Sequence, residues 1–201
     1  MTGVSEPAAY PNLLPKDGRA WLIPDALDTP TADRLFEVLV DQIEWRQEHV
    51  RLMGREIPVP RLTAWYGDAA YAYSGIAHPP RPWLPQLAAL AERVGTLAGT
   101  RFDSVLANLY RTGRDSIAWH SDDEPELGDD PIIASLSLGA VRRFRLRHRY
   151  ERGLGVGLDL PHGSCLVMGP GVQRAWAHSL PKTAKPVGPR LNLTFRKLRH
   201  T

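Results

Sequence analysis

A histidine and an aspartate stand two residues apart in the segment 118–124, at His120 and Asp122. On an extended backbone, residues two apart point to the same side, so this imidazole and carboxylate could bind one ion together. They would supply two of the three protein ligands of a facial site for non-haem Fe(II). The pair alone is not specific for a metal site, because the same two residues can occur in a polar loop whose carboxylates are solvated.

A third ligand of the right type lies far along the chain, at His178. This residue falls in a predicted strand, 174–179, from which it could close on His120 and Asp122. A single histidine in a strand can equally be a hydrogen-bonded core residue. Both interpretations stay open on this evidence.

The last predicted strand carries its polar groups on one face. Its sequence alternates strictly, so Leu191, Leu193 and Phe195 face one way, and the opposite face presents Arg190, Asn192, Thr194 and Arg196. If that polar face points into the protein, two buried guanidinium groups need anionic partners, because uncompensated buried charge is costly. A dicarboxylate bound beside a dication would satisfy them, since arginine binds carboxylates in a bidentate manner.

Asn108 and Tyr110 repeat the spacing of two residues on an earlier predicted strand. Because they share one face, they could hydrogen-bond the same dicarboxylate. Six arginines crowd into a further segment, at Arg142, Arg143, Arg145, Arg147, Arg149 and Arg152. That segment is either a solvated strand face or a surface that binds phosphates.

The composition limits the class of protein. A chain of 201 residues can form one sizeable domain, and a net charge of +3 permits a polyanionic partner without requiring one. A single cysteine, Cys165, excludes an internal disulfide framework and fits a reducing compartment. No apolar run approaches the about 20 residues that span a bilayer, and the N-terminus lacks a secretory pattern. We expect an intracellular monomer, cytoplasmic and near the nucleoid if the source is bacterial.

The first part of the chain predicts two helices. Residues 1–20 are rich in proline, glycine and polar groups and predict a poorly ordered arm, followed by a strand at 21–23. A helix should begin near Thr29, with a capping hydroxyl and an early proline, and end around 44–46. A second helix is predicted over 83–97.

Between the helices, the segment 50–60 predicts a hairpin with Met53 and Gly54 at its tip. A strand at 61–66 and an extended segment that holds Tyr71 and Tyr73 follow it.

From residue 102 onward, short alternating segments are separated by Gly, Pro or Asp. They predict strands at 102–110, 132–138, 141–150, 156–160, 164–168, 174–179 and 190–198. Helices followed by many short strands predict a mixed α+β, mainly β fold. We expect a double-stranded β-helix (jelly roll) core, with the two N-terminal helices packed on one sheet.

These motifs occur together and in a fixed order. Asn108-x-Tyr110, His120-x-Asp122, His178 and Arg190-x5-Arg196 make the chain resemble the AlkB family of Fe(II)/2-oxoglutarate dioxygenases. The blocks 60–61, 66–68, 73–75, 120–124 and 190–197 are most similar to its DNA-repair branch, the alkylated-DNA demethylases. The resemblance runs from about residue 46 to the C-terminus. It implies one dioxygenase domain over 21–201, with a nucleotide-recognition lid at about 46–80 and the jelly-roll core at about 102–201.

The resemblance also assigns roles to residues. It implies Fe(II) ligands at His120, Asp122 and His178, and a 2-oxoglutarate pocket formed by Asn108, Tyr110, Arg190, Asn192, Thr194 and Arg196. Tyr71 and Tyr73 match the lid that grips a flipped base, Asp123 would touch that base, and Met53, Gly54 and Arg55 would form a hairpin that probes the duplex. No catalytic residue is implied beyond the metal site.

The implied function is DNA repair by oxidative demethylation of bases such as 1-methyladenine and 3-methylcytosine. The reaction would use Fe(II), O₂ and 2-oxoglutarate and release formaldehyde, succinate and CO₂. Two alternatives stay open: a demethylase of modified RNA, and a nucleic-acid-binding relative without catalysis. Met53 stands where a duplex-specialised relative has an aromatic wedge, so the preference for single or double strands also stays open.

Overall fold

The computed structural model describes residues 10–52, 54–68, 71–73, 76–78 and 81–199. In chain order its elements are β1 (Ala20–Ile23), α1 (Thr29–Gln42), β2 (His49–Leu52), β3 (Arg55–Pro58), β4 (Leu62–Gly67), β5 (Tyr71–Tyr73), β6 (Ile76–His78), α2 (Pro85–Ala98), β7 (Ser104–Tyr110), β8 (Ile117–His120), β9 (Ile133–Gly139), β10 (Arg142–His148), β11 (Gly155–Leu160), β12 (Cys165–Met168), α3 (Val172–Ala175), β13 (Trp176–Leu180) and β14 (Arg190–Arg196). A 3-10 turn at Pro125–Leu127 lies between β8 and β9.

Two antiparallel sheets form the body of the protein. The larger has the strand order β1-β12-β9-β14-β7-β4, and the smaller has the order β11-β10-β13-β8. Leu106 and Leu166 of the larger sheet share one apolar cluster with Leu146 and Trp176 of the smaller sheet, so the two sheets pack face to face. This arrangement confirms the prediction of a mainly β, jelly-roll protein.

The outer face of the larger sheet is covered by α1 and α2. Leu39 of α1 and Leu87 of α2 belong to the same buried cluster as Leu191, Leu193 and Phe195 of β14. The apolar face of β14 therefore points to the helices, as its alternation predicted. Its polar face must then point into the space between the sheets.

The helix ends differ in detail from the sequence prediction. The cap of α1 is Asp28, whose carboxylate accepts a hydrogen bond from the Thr31 backbone N–H at 2.8 Å, and not the hydroxyl of Thr29. Helix α2 ends at Gly99, whose φ of 69° lies in the left-handed region that glycine adopts readily. Strand β8 and the single turn α3 were not predicted, because each is short and neither has a regular spacing of apolar residues.

The segment 10–20 corrects the prediction of a poorly ordered arm over 1–20. Leu14 is only 3% exposed, and the Asn12 side chain accepts hydrogen bonds from the N–H groups of Leu14 and Ala20. The indole N–H of Trp176 donates to the carbonyl of Lys16, which joins the segment to β13. Residues 1–9 lie outside the described part of the chain. Among the described residues, no helix has the length and apolar character needed to cross a bilayer.

The small sheets β2-β3 and β5-β6 lie in the region predicted as a lid. Strands β2 and β3 form the predicted hairpin, in which Leu52 pairs with Arg55. Strands β5 and β6 pair through Tyr71 and His78. Met53 lies outside the described residues, and only the backbone is described at Tyr71 and Tyr73.

Candidate metal centre and co-substrate pocket

A β-bulge aims His120 into the interior of the protein. His120 of β8 pairs with His178 of β13, whereas Ile117 pairs with Leu180, so β8 contains one extra residue between the two pairs. Both Ile117 and His120 consequently line the cavity between the sheets, while Trp119 is turned outward and is 38% exposed. Bulges of this kind often redirect a side chain next to an active site.

The three predicted metal ligands come together at this point. One ligand atom from each of His120, Asp122 and His178 lies within 4.8 Å of the other two. The Nδ1 of His120 lies 2.9 Å from the Ala118 carbonyl, and as an N–H it donates there, which leaves Nε2 available for a metal. The side chain of Asp122 is 1% exposed, so solvent does not compete for its oxygens.

The electrostatics of the three groups suit a cation. Burial by itself raises the pKa of Asp122, but the charge of Arg196 and the two neighbouring histidines outweigh it and hold that pKa at about 2. Burial lowers the pKa of His178 to about 3. The carboxylate is therefore ionised and the imidazole neutral at physiological pH, and these are the forms that bind metal.

One buried atom points directly to a missing partner. Oδ1 of Asp122 is buried and makes no hydrogen bond to any residue that the structure describes, whereas Oδ2 lies 3.0 Å from Arg196. A buried carboxylate oxygen without a donor is costly unless a cation satisfies it. Two imidazoles and this oxygen form the donor set that non-haem Fe(II) takes, so the residues fit the ion.

The residues predicted to bind 2-oxoglutarate line one cavity with the three ligands. They are Asn108, Tyr110, Arg190, Asn192, Thr194 and Arg196. The cavity is built by strand register, because β14 pairs with β7 such that Arg190 lies opposite Tyr110 and Asn192 opposite Asn108. Arg190 and Arg196 are each 2% exposed.

Arg190 is a buried cation with no carboxylate among the partners that the structure describes for it. It donates to Ser137 Oγ at 2.8 Å, and its guanidinium lies 5.4 Å from the centre of the Tyr110 ring. Its Nε has no hydrogen-bond acceptor in the described part of the chain. Burial lowers the pKa of Arg190 to about 10, with Tyr110 opposing part of the shift, so the side chain remains charged at neutral pH.

The middle of the cavity holds neutral polar groups. Asn192 donates to Ser135 Oγ at 2.7 Å, and Thr194 donates to Asn192 Oδ1 at 3.1 Å. Among the residues that line the cavity, Arg190 and Arg196 face one carboxylate, Asp122, so the lining carries an excess of one cation. An anion is therefore the ligand that these residues can accept.

Three contributing residues were not predicted from the sequence. Arg61 donates from Nε to Asn108 Oδ1 at 2.7 Å, and Phe144 stacks on His178 with ring centres 5.5 Å apart. Gln173 accepts a hydrogen bond from the backbone N–H of Asp122 at 3.0 Å. Arg61 belongs to the block 60–61, which resembles the DNA-repair branch of the family, and that resemblance could have identified Arg61 as a site residue. Gln173 had none, because its turn is too short to be recognised.

The predicted substrate-binding residues lie outside this cavity or beyond the described side chains. Asp123 is half-exposed, and its Oδ2 lies 3.1 Å from Arg149 NH1. Gly54 and Arg55 are exposed at the tip of the β2-β3 hairpin. Asp123 therefore faces outward although it directly follows the ligand Asp122, and Gly54 and Arg55 do not line the cavity.

The arginine-rich segment divides into two groups. Arg142 is 3% exposed and donates to the carbonyls of Thr112, Asp115 and Pro181, which corrects its prediction as part of a phosphate-binding surface. Arg143, Arg145 and Arg147 alternate with buried residues along β10 and are exposed. The guanidinium of Arg147 lies 4.4 Å from the ring centre of Trp119.

A jelly roll that holds two histidines and one carboxylate beside a buried arginine pocket is the architecture of a 2-oxoglutarate-dependent, non-haem iron oxygenase. The sequence matches the profile of the 2OG-Fe(II) oxygenase superfamily over residues 19–196. It is 42% identical over 187 residues to the alpha-ketoglutarate-dependent dioxygenase alkB homolog 3 of Mus musculus, covering 89% of this chain and 65% of that protein. It is 41% identical over 179 residues to the DNA oxidative demethylase ALKBH2 of Homo sapiens, covering 83% of this chain and 69% of that protein.

The chain thus belongs to the 2OG-Fe(II) oxygenase superfamily and, within it, to the AlkB family, in the branch that contains these two relatives. It spans about two thirds of the length of the alkB homolog 3 proteins, 65% for the mouse protein. The solved structure of OsALKBH1 has the same fold, with a TM-score of 0.65 at 19% identity, over 90% of this chain and 99% of that one. Membership confirms Fe(II), 2-oxoglutarate and O₂ as the cofactor and co-substrates.

Proposed function

We propose that this protein repairs DNA by oxidative demethylation of N-alkylated bases, of the 1-methyladenine and 3-methylcytosine type. It would use Fe(II), O₂ and 2-oxoglutarate and release formaldehyde, succinate and CO₂. The observation that carries the proposal is the buried set of His120, Asp122 and His178 beside a pocket with one uncompensated arginine. The name of one group of relatives, DNA oxidative demethylase ALKBH2, supports this substrate class.

The residues of the chain bind and orient the reactants. When bound, Fe(II) supplies the oxidising chemistry, in which decarboxylation of 2-oxoglutarate is coupled to hydroxylation of the N-methyl group. The Ala118 carbonyl fixes the tautomer of His120, and Arg196 holds the Asp122 carboxylate from the side opposite its free oxygen. Phe144 packs against His178, which limits the access of water to that face.

The two arginines suggest the orientation of 2-oxoglutarate. Arg196 contacts a metal ligand, so the keto-acid end of the co-substrate should lie near it. Arg190, beside Tyr110 and Ser137, should bind the distal carboxylate. Asn108, Asn192 and Thr194 would line the pocket between these two ends, and the Asn108 amide N–H groups could donate to the co-substrate.

The substrate would reach this centre as a base flipped out of its strand. A base methylated on its pairing edge has lost its Watson–Crick partner, so extruding it costs less than extruding an intact base. We assign Tyr71 and Tyr73 to the lid at about 46–80 that stacks the base, Asp123 to contact with a cationic base, and Met53, Gly54 and Arg55 to a probing hairpin. The exposed Arg143, Arg145 and Arg147 would contact backbone phosphates.

The test is release of formaldehyde from methylated oligonucleotides. Purified protein with Fe(II), ascorbate and 2-oxoglutarate should release formaldehyde from 1-methyladenine or 3-methylcytosine in DNA. His178→Ala should abolish the reaction, whereas Leu158→Ala, on β11 away from the cavity, should retain it. Protein shown to hold iron that releases no formaldehyde from single-stranded or double-stranded DNA would contradict the proposal. Faster release from matched RNA would assign the site to modified RNA instead.

A further inference from the structure

Two neighbouring carboxylates compete for one metal position. Asp122 and Asp123 are adjacent in the loop that follows β8, and both come directly after the ligand His120. A facial centre takes one carboxylate. In the structure the side chain of Asp122 is 1% exposed and that of Asp123 is 54% exposed. Something in the fold must decide which of the two faces inward.

Gln173 fixes the backbone of the inward residue. Its Oε1 accepts the N–H of Asp122 at 3.0 Å, and its Nε2 lies 3.7 Å from the Met168 sulfur. Gln173 is 2% exposed, so its amide has few alternative partners. The neighbouring Ser121 donates to the Trp176 carbonyl at 3.0 Å, which docks the loop on the same α3–β13 segment.

Arg149 holds the outward residue. Its NH1 lies 3.1 Å from Asp123 Oδ2, and the same nitrogen lies 3.4 Å from the Gln173 carbonyl and 3.5 Å from the Arg174 carbonyl. The Arg149 backbone N–H donates to the Ala175 carbonyl at 2.8 Å. Arg149 therefore joins the Asp123 carboxylate to the end of α3, the turn that also carries Gln173.

We propose that Gln173 and Arg149 are positioning residues that select Asp122, and not Asp123, as the carboxylate ligand of the metal. Gln173 fixes the orientation of the Asp122 peptide group. Arg149 neutralises and holds the Asp123 carboxylate, which would otherwise turn toward a bound dication. The inference rests on the metal centre of the proposed function and requires nothing of the nucleic-acid substrate.

The test is a double-mutant cycle in which Co(II) is the probe. Titration measures the affinity for Co(II), and the visible spectrum reports the ligands of the bound ion. Removal of a group that orients a metal ligand commonly costs about 10–100-fold in affinity. Gln173→Met should therefore weaken Co(II) binding by about tenfold. Arg149→Gln should instead tighten Co(II) binding and change its spectrum, because a second carboxylate, Asp123, becomes free to enter the coordination sphere. In an Asp123→Asn background the same change should have an effect of less than about twofold.

Two further variants complete the design. Gln173→Met, which keeps the volume and loses the acceptor, should also change the spectrum, and Asp123→Asn should restore it. Arg34→Gln is the control for loss of an exposed arginine, because Arg34 lies on α1 and its described side-chain hydrogen bond is to Thr31, not to the loop. It should leave both the affinity and the spectrum unchanged.

Three outcomes would overturn the proposal. An equal change in Co(II) affinity for Arg149→Gln in both backgrounds would show that Arg149 only supports the local fold. Wild-type affinity and spectrum in both Arg149→Gln and Gln173→Met would show that Asp122 needs no such restraint. Wild-type protein that binds no Co(II) would remove the metal centre itself. Wild-type protein that binds Co(II) but releases no formaldehyde when loaded with iron would contradict only the proposed demethylation.

Discussion

Replacing Arg190 with methionine should weaken 2-oxoglutarate binding while leaving the unliganded protein at least as stable. Burial lowers the pKa of Arg190 from 12.5 to about 10. That fall corresponds to about 3 kcal/mol against the charged form, since each tenfold change is about 1.4 kcal/mol. Methionine removes this penalty and keeps most of the volume.

The substitution also has a cost in the unliganded protein. Ser137 Oγ loses the donor that Arg190 provides at 2.8 Å. An unsatisfied buried polar group costs about 1–3 kcal/mol, so the two effects nearly cancel or favour the variant. Buried charges replaced by apolar groups of similar volume often behave in this way.

The effect on ligand binding has the opposite sign. A hydrogen bond to a charged group contributes about 1.5–3 kcal/mol, and the distal carboxylate of 2-oxoglutarate would lose at least one. The dissociation constant should rise by about 10–100-fold. Thermal unfolding with and without 2-oxoglutarate measures both quantities, because a ligand that binds only the native state raises the melting temperature. Arg145→Met, on the exposed face of β10, is the control for loss of an arginine.

One pair of results would refute this reasoning. If Arg190→Met lowers the melting temperature by several degrees without ligand and leaves the 2-oxoglutarate affinity unchanged, Arg190 has a structural partner and not a ligand. The uncompensated cation would then be no guide to the co-substrate.

Three further predictions concern stability, the thiol and the nucleic-acid surface. Burial alone would raise the pKa of Asp115, but hydrogen bonds from Arg111 hold this pKa below its usual range. The ionised Asp115 therefore stabilises the fold at any pH above the ordinary carboxyl pKa. This stabilisation is lost as the pH falls through the lowered pKa. Asp115→Asn should cost about 1 kcal/mol in urea unfolding at pH 7, because Arg111 is partly exposed, and the difference should shrink in acid; a constant difference would contradict the linkage. Burial raises the pKa of Cys165 to about 12, so an aromatic disulfide reagent at pH 8 should react only as fast as the protein unfolds, and rapid labelling of native protein would refute its burial. The exposed Trp119 could stack on a base of the substrate, and such stacking contributes about 1–3 kcal/mol per base. Trp119→Ala should therefore raise the KM for single-stranded substrate by about fivefold or more and leave the KM for 2-oxoglutarate unchanged. An equal rise in both KM values would show that Trp119 supports the position of His120 instead.

The alternation of β14 allowed much of the pocket to be predicted from sequence. A period of two fixes which residues share a face, and the apolar Leu191, Leu193 and Phe195 predict the face that meets the core. Whether the opposite face with Arg190 and Arg196 met solvent or the interior stayed open from the sequence, and the structure buries both arginines between the sheets.

The smaller sheet was harder to predict because β8 departs from regular alternation. The bulge in β8 allows Ile117 and His120 to face inward together, which a regular strand does not permit. Along β10, Arg142 shares the inward face with Phe144 and Leu146, and its charge is accommodated there by three carbonyls from other segments. Such contacts are set by tertiary structure, and so is the packing of Lys16 and Leu14 against the sandwich.

The position of β14 within its sheet accounts for both the rigidity and the charge of the pocket. The strand pairs with β7 on one side and β9 on the other, so the register on both sides holds Arg190 and Arg196 in place. The protein places a carboxylate, Asp122, within reach of Arg196 but none among the partners described for Arg190. A fold optimised for stability alone would not bury a cation of this kind. The charge of Arg190 is best explained by an anionic partner that binds in each catalytic cycle. A dicarboxylate that reaches from Arg196, beside the metal ligand Asp122, to Arg190, beside Tyr110, would pair with both arginines at once.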